Sequence, residues 1–110
     1  MKLSEIASGL HLELATPSGI DPDVTCGYTS DLLSDVMGNA EEGSILITIQ
    51  AHKNTIAVAS LAGIRAILIC NGRDIPGDML EAAVREGIGI ATTRDNQYVS
   101  SYKIHDTISR

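Results

Sequence analysis

The segment Ser44-Ile-Leu-Ile-Thr-Ile-Gln-Ala-His-Lys-Asn-Thr-Ile-Ala-Val-Ala-Ser-Leu-Ala62 decides the fold. Its first six residues are β-branched or aliphatic on both faces apart from Thr48, the pattern of a strand covered on both sides. Gln50 to Lys53 is polar and loop-like, and the run from Asn54 to Ala62 is almost entirely apolar, as a largely buried helix would be. Ala66-Ile-Leu-Ile-Cys70 follows as a second buried strand. Two covered strands joined through a helix by short connections form a βαβ unit, which is parallel and right-handed.

The same alternation extends in both directions. Upstream, Val24-Thr-Cys-Gly-Tyr28 reads as a short strand. Ser30 then caps a helix whose stripe is Leu32, Leu33, Val36, Met37 and Ala40, ended by Glu41-Glu-Gly43. Downstream, Pro76 occupies a first helical position, and Met79, Leu80, Ala83 and Val84 form the next stripe. Gly87 stops that helix, Ile88-Gly-Ile-Ala91 is a strand, and Asp95 opens a last amphipathic helix containing Tyr98, Val99 and Tyr102. At the other end, Leu3, Ile6, Ala7 and Leu10 are spaced as a helical face. His11-Leu-Glu-Leu-Ala15 alternates as a half-buried strand, and Pro17 to Pro22 is a turn-rich connection. No linker, repeat or low-complexity stretch interrupts the chain. The pattern predicts one α/β domain over residues 1–110: a small, mostly parallel sheet of about five strands flanked by helices.

Composition narrows the function classes. A net charge of −6, with eight Lys and Arg residues scattered singly, argues against a nucleic-acid surface. No run of 18 apolar residues is present to span a membrane. The start Met1-Lys-Leu-Ser-Glu-Ile-Ala is amphipathic and acidic rather than a signal peptide, so a cytoplasmic location is expected. Phe and Trp are absent and Tyr28, Tyr98 and Tyr102 are the only aromatic residues, so the core is aliphatic.

Parallel strands collect their C-terminal ends on one edge, and ligands in open α/β sheets bind beyond those ends. The loops gathered there are Gln50 to Asn54, Asn71 to Asp74 and Thr92 to Arg94, joined by Thr29 to Asp31 if the strand at 24–28 runs the same way. The candidate binding residues are therefore Ser30, Asp31, Gln50, His52, Asn71, Arg73 and Thr92. Arginine, lysine and helix N-termini on this edge favour a small anionic ligand. More often, such loops are simply polar and supply caps: Asn71-Gly72 reads as a turn, and His52 as a helix cap before it reads as a base. Asp31 and Asp35, four apart, either face solvent near a helix start or present two carboxylates to a metal, the former being the commoner case.

Several chemistries have no motif here. There is no Gly-x-x-x-x-Gly-Lys-Ser/Thr phosphate loop, no dinucleotide fingerprint, no Gly-x-Ser-x-Gly elbow and no His-Glu-x-x-His pair. No catalytic residue, metal ligand set or cofactor can be assigned. Cys26 and Cys70 are each expected within a strand as buried, reduced, structural thiols, and a conventional iron–sulfur cluster needs ~4 thiolates.

The stretches Tyr28-Thr-Ser-Asp-Leu-Leu-Ser-Asp-Val-Met37, Ile47-Thr-Ile-Gln-Ala-His52, Val58-Ala-Ser-Leu61 and Gly72-Arg73 resemble the DRTGG domain family, in particular its small stand-alone members. The likeness covers nearly the whole chain. The family's name-giving pentapeptide is absent, Asn71-Gly-Arg-Asp74 being the nearest local match. Related domains are embedded as regulatory pieces in phosphotransacetylases and CBS-domain pyrophosphatases, and a similar fold forms the N-terminal domain of HPr kinase/phosphorylase. The resemblance implies a non-catalytic regulatory or accessory domain that dimerises, senses a ligand and assembles with a larger enzyme. It also implies an alternative: an iron–sulfur-associated accessory component partnered by a hydrogenase-type subunit. A homodimer is expected independently, because the helix from Thr55 to Leu61 is apolar around nearly its full circumference. Helices at the two ends of the chain are the other candidates to cover it.

Overall fold

The computed structural model describes residues 1–109. In chain order the elements are α1 (Leu3–Leu10), β1 (Glu13–Leu14), β2 (Cys26–Thr29), α2 (Leu33–Asn39), β3 (Ser44–Thr48), α3 (Lys53–Ala62), β4 (Ala66–Ile69), α4 (Gly77–Glu86), β5 (Gly89–Thr92) and α5 (Gln97–Ile108). The five strands form one sheet in the order β1-β5-β4-β3-β2. Strands β2 to β5 are parallel to their neighbours, and only β1 is antiparallel, on the β5 edge. This is the α/β architecture expected from the sequence. No helix is long and apolar enough to cross a membrane among the described residues.

Strands β3 and β4 are buried at every position because helices cover both faces of the sheet. Leu46, Ile67, Ile69 and Ile90 project into a core with Val36, Ile56, Ala59, Met79 and Ala83, supplied by α2, α3 and α4. The alternate residues Ile45, Ile47, Ala66 and Leu68 meet Leu3, Ile6 and Ile104 of α1 and α5 on the other face. Period-two alternation thus serves two cores at once, which is why the strands read as continuous apolar runs.

Several local expectations are corrected. Ser30 does not cap α2: the helix starts two residues later, after Leu32, without a side-chain cap. The Ser30 hydroxyl instead accepts the Leu32 amide in a tight turn, because the intervening Asp31 is drawn to the end of β3. Of the α2 stripe only Val36 is buried, and Leu32 and Met37 are exposed, since α2 lies at the sheet edge with a neighbouring helix on one side alone. In α5 the buried positions are Ser100 and Ile104, while Tyr98 and Tyr102 face solvent. Pro76 stands just before α4 rather than in its first turn. The first strand shortens to two residues because His11 ends α1 in the left-handed conformation at φ 57°. Helix α3 is flanked by α2 and α4, and the terminal helices lie on the opposite face of the sheet, so they do not cover it. Its outward residues Ala57, Ser60 and Leu61 are exposed, so within one chain the helix is not buried on most of its circumference, the other expectation being an oligomer interface.

Candidate functional site

The C-terminal ends of β2, β3, β4 and β5 lie along one edge, and the residues there form two separate groups. The first centres on Asp31. Its Oδ1 accepts the Thr48 hydroxyl at 2.8 Å, the Ile49 amide at 3.0 Å and Gln97 Nε2 at 3.0 Å. Gln50 Nε2 donates to the Asp31 carbonyl at 3.0 Å, and the Gln50 carbonyl accepts the Thr55 hydroxyl at 2.7 Å. Thr48 has no exposed surface, so its hydroxyl needs an internal partner, and Asp31 is that partner. These bonds tie β2, β3, α3 and α5 together. Asp31 Oδ1 and the Gln50 amide group are therefore engaged within the chain.

Asp35 is likewise engaged: it accepts Tyr28 Oη at 2.8 Å and Asn39 Nδ2 at 2.9 Å. The Tyr28 hydroxyl holds its carboxyl below the usual carboxylate range. The two aspartates do not act as a pair, since each is bonded to a different part of the fold. His52 is exposed, and its Nδ1 accepts the Asn54 amide at 3.0 Å, closing the N-terminus of α3.

The second group forms a cleft of about 510 Å3 where the loops after β4 and β5 meet α1 and β1. Arg73, Asp74, Thr92, Thr93 and Arg94 line it, with His11 and Glu13 on the side of α1 and β1. A left-handed pair, Asn71 at φ 64° and Gly72 at φ 64°, turns the chain sharply after β4. The Asn71 amide donates to the Asp95 carbonyl at 3.0 Å and the Gly72 amide to the Thr93 carbonyl at 2.9 Å. The two loops are thereby pinned to one another. Arg94 packs along the turn, since a Cβ at Gly72 would lie 3.7 Å from Arg94 Cγ. Neither Arg73 nor Arg94 has a side-chain partner among the described residues, whose only ion pairs are Lys2–Asp23 and Lys103–Asp95.

Of the seven candidate residues, the cleft contains Arg73 and Thr92. Asn71 is outside the lining and acts on the cleft only through its turn backbone and its bond to the Asp95 carbonyl. Ser30, Asp31, Gln50 and His52 lie outside its lining, at the ends of β2 and β3. The reading from sequence missed Glu13, which the β1–β5 register places opposite Thr92. It also left out Arg94 and Asp74, although both stand in loops already assigned to this edge. The alternation of His11 to Ala15 marked Glu13 as a strand residue, but its place beside Thr92 is fixed by long-range pairing alone.

One chain carries two cysteines, short of the ~4 thiolates a conventional iron–sulfur cluster needs. Cys26 lies at the start of β2 beside Ser44, whereas Cys70 follows β4 and is packed against the α1 and α5 face. Cys26 lies at the N-terminal end of the edge strand β2 and Cys70 just past the C-terminal end of the central strand β4. Among the described residues no three His, Cys, Asp or Glu side chains gather to hold a metal ion. Cys26 is only half-buried, with Sγ 3.3 Å from Ser44 Oγ, which corrects the expectation that both thiols are enclosed. Cys70 is fully buried, and burial pushes its thiol pKa up.

No protein-family model and no curated protein sequence matches the chain. Among solved structures it is similar to the CBS and DRTGG domains of the regulatory region of Clostridium perfringens pyrophosphatase, determined in complex with the activator diadenosine tetraphosphate. The TM-score is 0.72 and the identity 15%, over 93% of this chain and 45% of that one. The chain thus spans less than half of that regulatory region. At this identity the likeness is one of fold, and the fold fits a DRTGG-like domain, as the sequence resemblance implies.

Proposed function

We propose that this chain is a non-catalytic regulatory or accessory domain that binds a small anionic ligand in the Arg73–Arg94 cleft and assembles with itself and with a larger enzyme. The observation that carries this reading is the arginine pair: two guanidinium groups without partners among the described residues, on two loops hydrogen-bonded to each other. A guanidinium fork is shaped for phosphate and carboxylate oxygens, and loops held in place lose little entropy when an anion bridges them. The fold-level neighbour is a regulatory region complexed with a nucleotide activator, which supports a sensing role. The exposed outer residues of α3 support self-association, and Leu61 is 76% exposed.

Calorimetric titration with inorganic pyrophosphate and with diadenosine tetraphosphate tests the reading. At least one should bind, and at 100 times its Kd it should stabilise the fold by about 2.7 kcal/mol. Arg73→Ala and Arg94→Ala should each weaken binding by about 1.5–3 kcal/mol. Binding that survives both substitutions would move the site elsewhere.

A further inference from the structure

The charge balance of the cleft narrows its ligand. Lining the same cleft as Arg73 and Arg94, with His11 beside them, are two carboxylates, Glu13 and Asp74, that have no side-chain partner among the described residues. The remaining acid, Asp95, is neutralised by Lys103 at 2.9 Å. The lining therefore has as many free carboxylates as free guanidinium groups, inside a chain of net charge −6. A bare anion drawn to the arginines would meet two carboxylates that it can only repel. Ionised carboxylates accept hydrogen bonds and donate none, so the matching ligand must also bring donors.

Resting on the reading that this cleft holds an anion, we infer that its ligand is a phosphate ester bearing free hydroxyls on an attached sugar: a sugar phosphate or nucleotide, rather than inorganic phosphate or pyrophosphate. The strand order spreads the groups to suit such a molecule. Arg73 follows β4, Thr92 and Thr93 end β5, and Glu13 lies on β1 directly opposite Thr92. From β4 to β1 is two strand spacings, about 10 Å. The phosphate sits toward the Gly72 turn, between the two guanidinium groups. The sugar extends across the end of β5, where its hydroxyls donate to Glu13 or Asp74, as ribose hydroxyls do to acidic residues in nucleotide sites. The Thr93 hydroxyl accepts the Asp95 amide at 3.2 Å and keeps its own proton to donate to the ligand. The volume of about 510 Å3 is that of a small-molecule pocket and far exceeds what one phosphate fills.

Titration of the whole chain with pyrophosphate, ADP and 2′-deoxy-ADP tests this. ADP should bind about tenfold more tightly than pyrophosphate, and removal of the 2′-hydroxyl should give back much of that gain. Glu13→Gln and Asp74→Asn, both at exposed positions, should narrow the ADP-to-pyrophosphate ratio while leaving pyrophosphate binding equal or tighter. Circular dichroism checks that the variants fold. Equal affinity for pyrophosphate and ADP, lost in Arg73→Ala, would overturn the sugar assignment and leave the anion site standing. A ratio that neither carboxylate variant moves would overturn it too. No binding by any of the three would overturn the anion site and this inference together.

Discussion

Asp31 stands in the loop where a ligand contact is expected, yet its carboxylate closes the ends of β3 and α5. Residue type and position do not separate these roles; the buried hydroxyl of Thr48 does, because it needs an internal acceptor and Asp31 Oδ1 supplies it. The two cysteines diverge for a similar reason. Cys70 is enclosed by the α5 face and hydrogen-bonded to Ser100 Oγ at 3.4 Å, whereas Cys26 is only half-buried at the start of the outermost strand, β2. The thiolate is the reactive form and needs access, so alkylation of the native protein should modify Cys26 first and reach Cys70 only on unfolding. Mass spectrometry of a labelling time course checks this, and early modification of Cys70 would show that the α5 face opens in the native state.

At the scale of elements, the order of helices and strands was legible, the edge strands included, whereas the exact ends of the short elements and the partner of β1 were not. Helix α5 combines the two cases. Its start is fixed by Asn96, whose Oδ1 accepts the Val99 amide at 2.9 Å. Its body crosses to the far side of the sheet, where Ser101 meets Thr29 at 2.7 Å. Asn96→Ala should lower stability by about 1 kcal/mol, the usual cost of losing such a cap. Because α5 covers the β2 edge, the same change should speed amide exchange in β2 more than in β4. Chemical denaturation and hydrogen exchange read the two effects. An unchanged β2 would show that α5 is held by its packing alone.

For the whole molecule the open question is the outer layer. Helices α2, α3 and α4 cover one face of the sheet but are not covered themselves, and Leu32, Met37, Leu61 and Val84 remain exposed on them. Scattered apolar residues are ordinary on a monomer, but a two-fold axis would pair equivalent patches and bury them together. The expected result of light scattering is a mass twice 11.6 kDa, falling to the monomer value in Leu61→Glu. A wild-type mass that stays at 11.6 kDa as concentration rises would show that the face is simply solvated.

The sequence by itself determined the α/β class, the parallel run of strands and the edge on which their loops gather. Those features follow from local periodicity: β3 and β4 are apolar on both faces, and each is followed by a helix at short range. It also placed Arg73 and Thr92 on that edge. Tertiary structure alone decided that Asp31 and Gln50 turn inward, that α1 and α5 share the face opposite α3, and that Glu13 stands across from Thr92. The physical reason is range. Helix and strand patterns are set by neighbours a few residues apart, whereas a hydrogen bond from Gln97 to Asp31 or a pairing of β1 with β5 exists only once distant segments have packed.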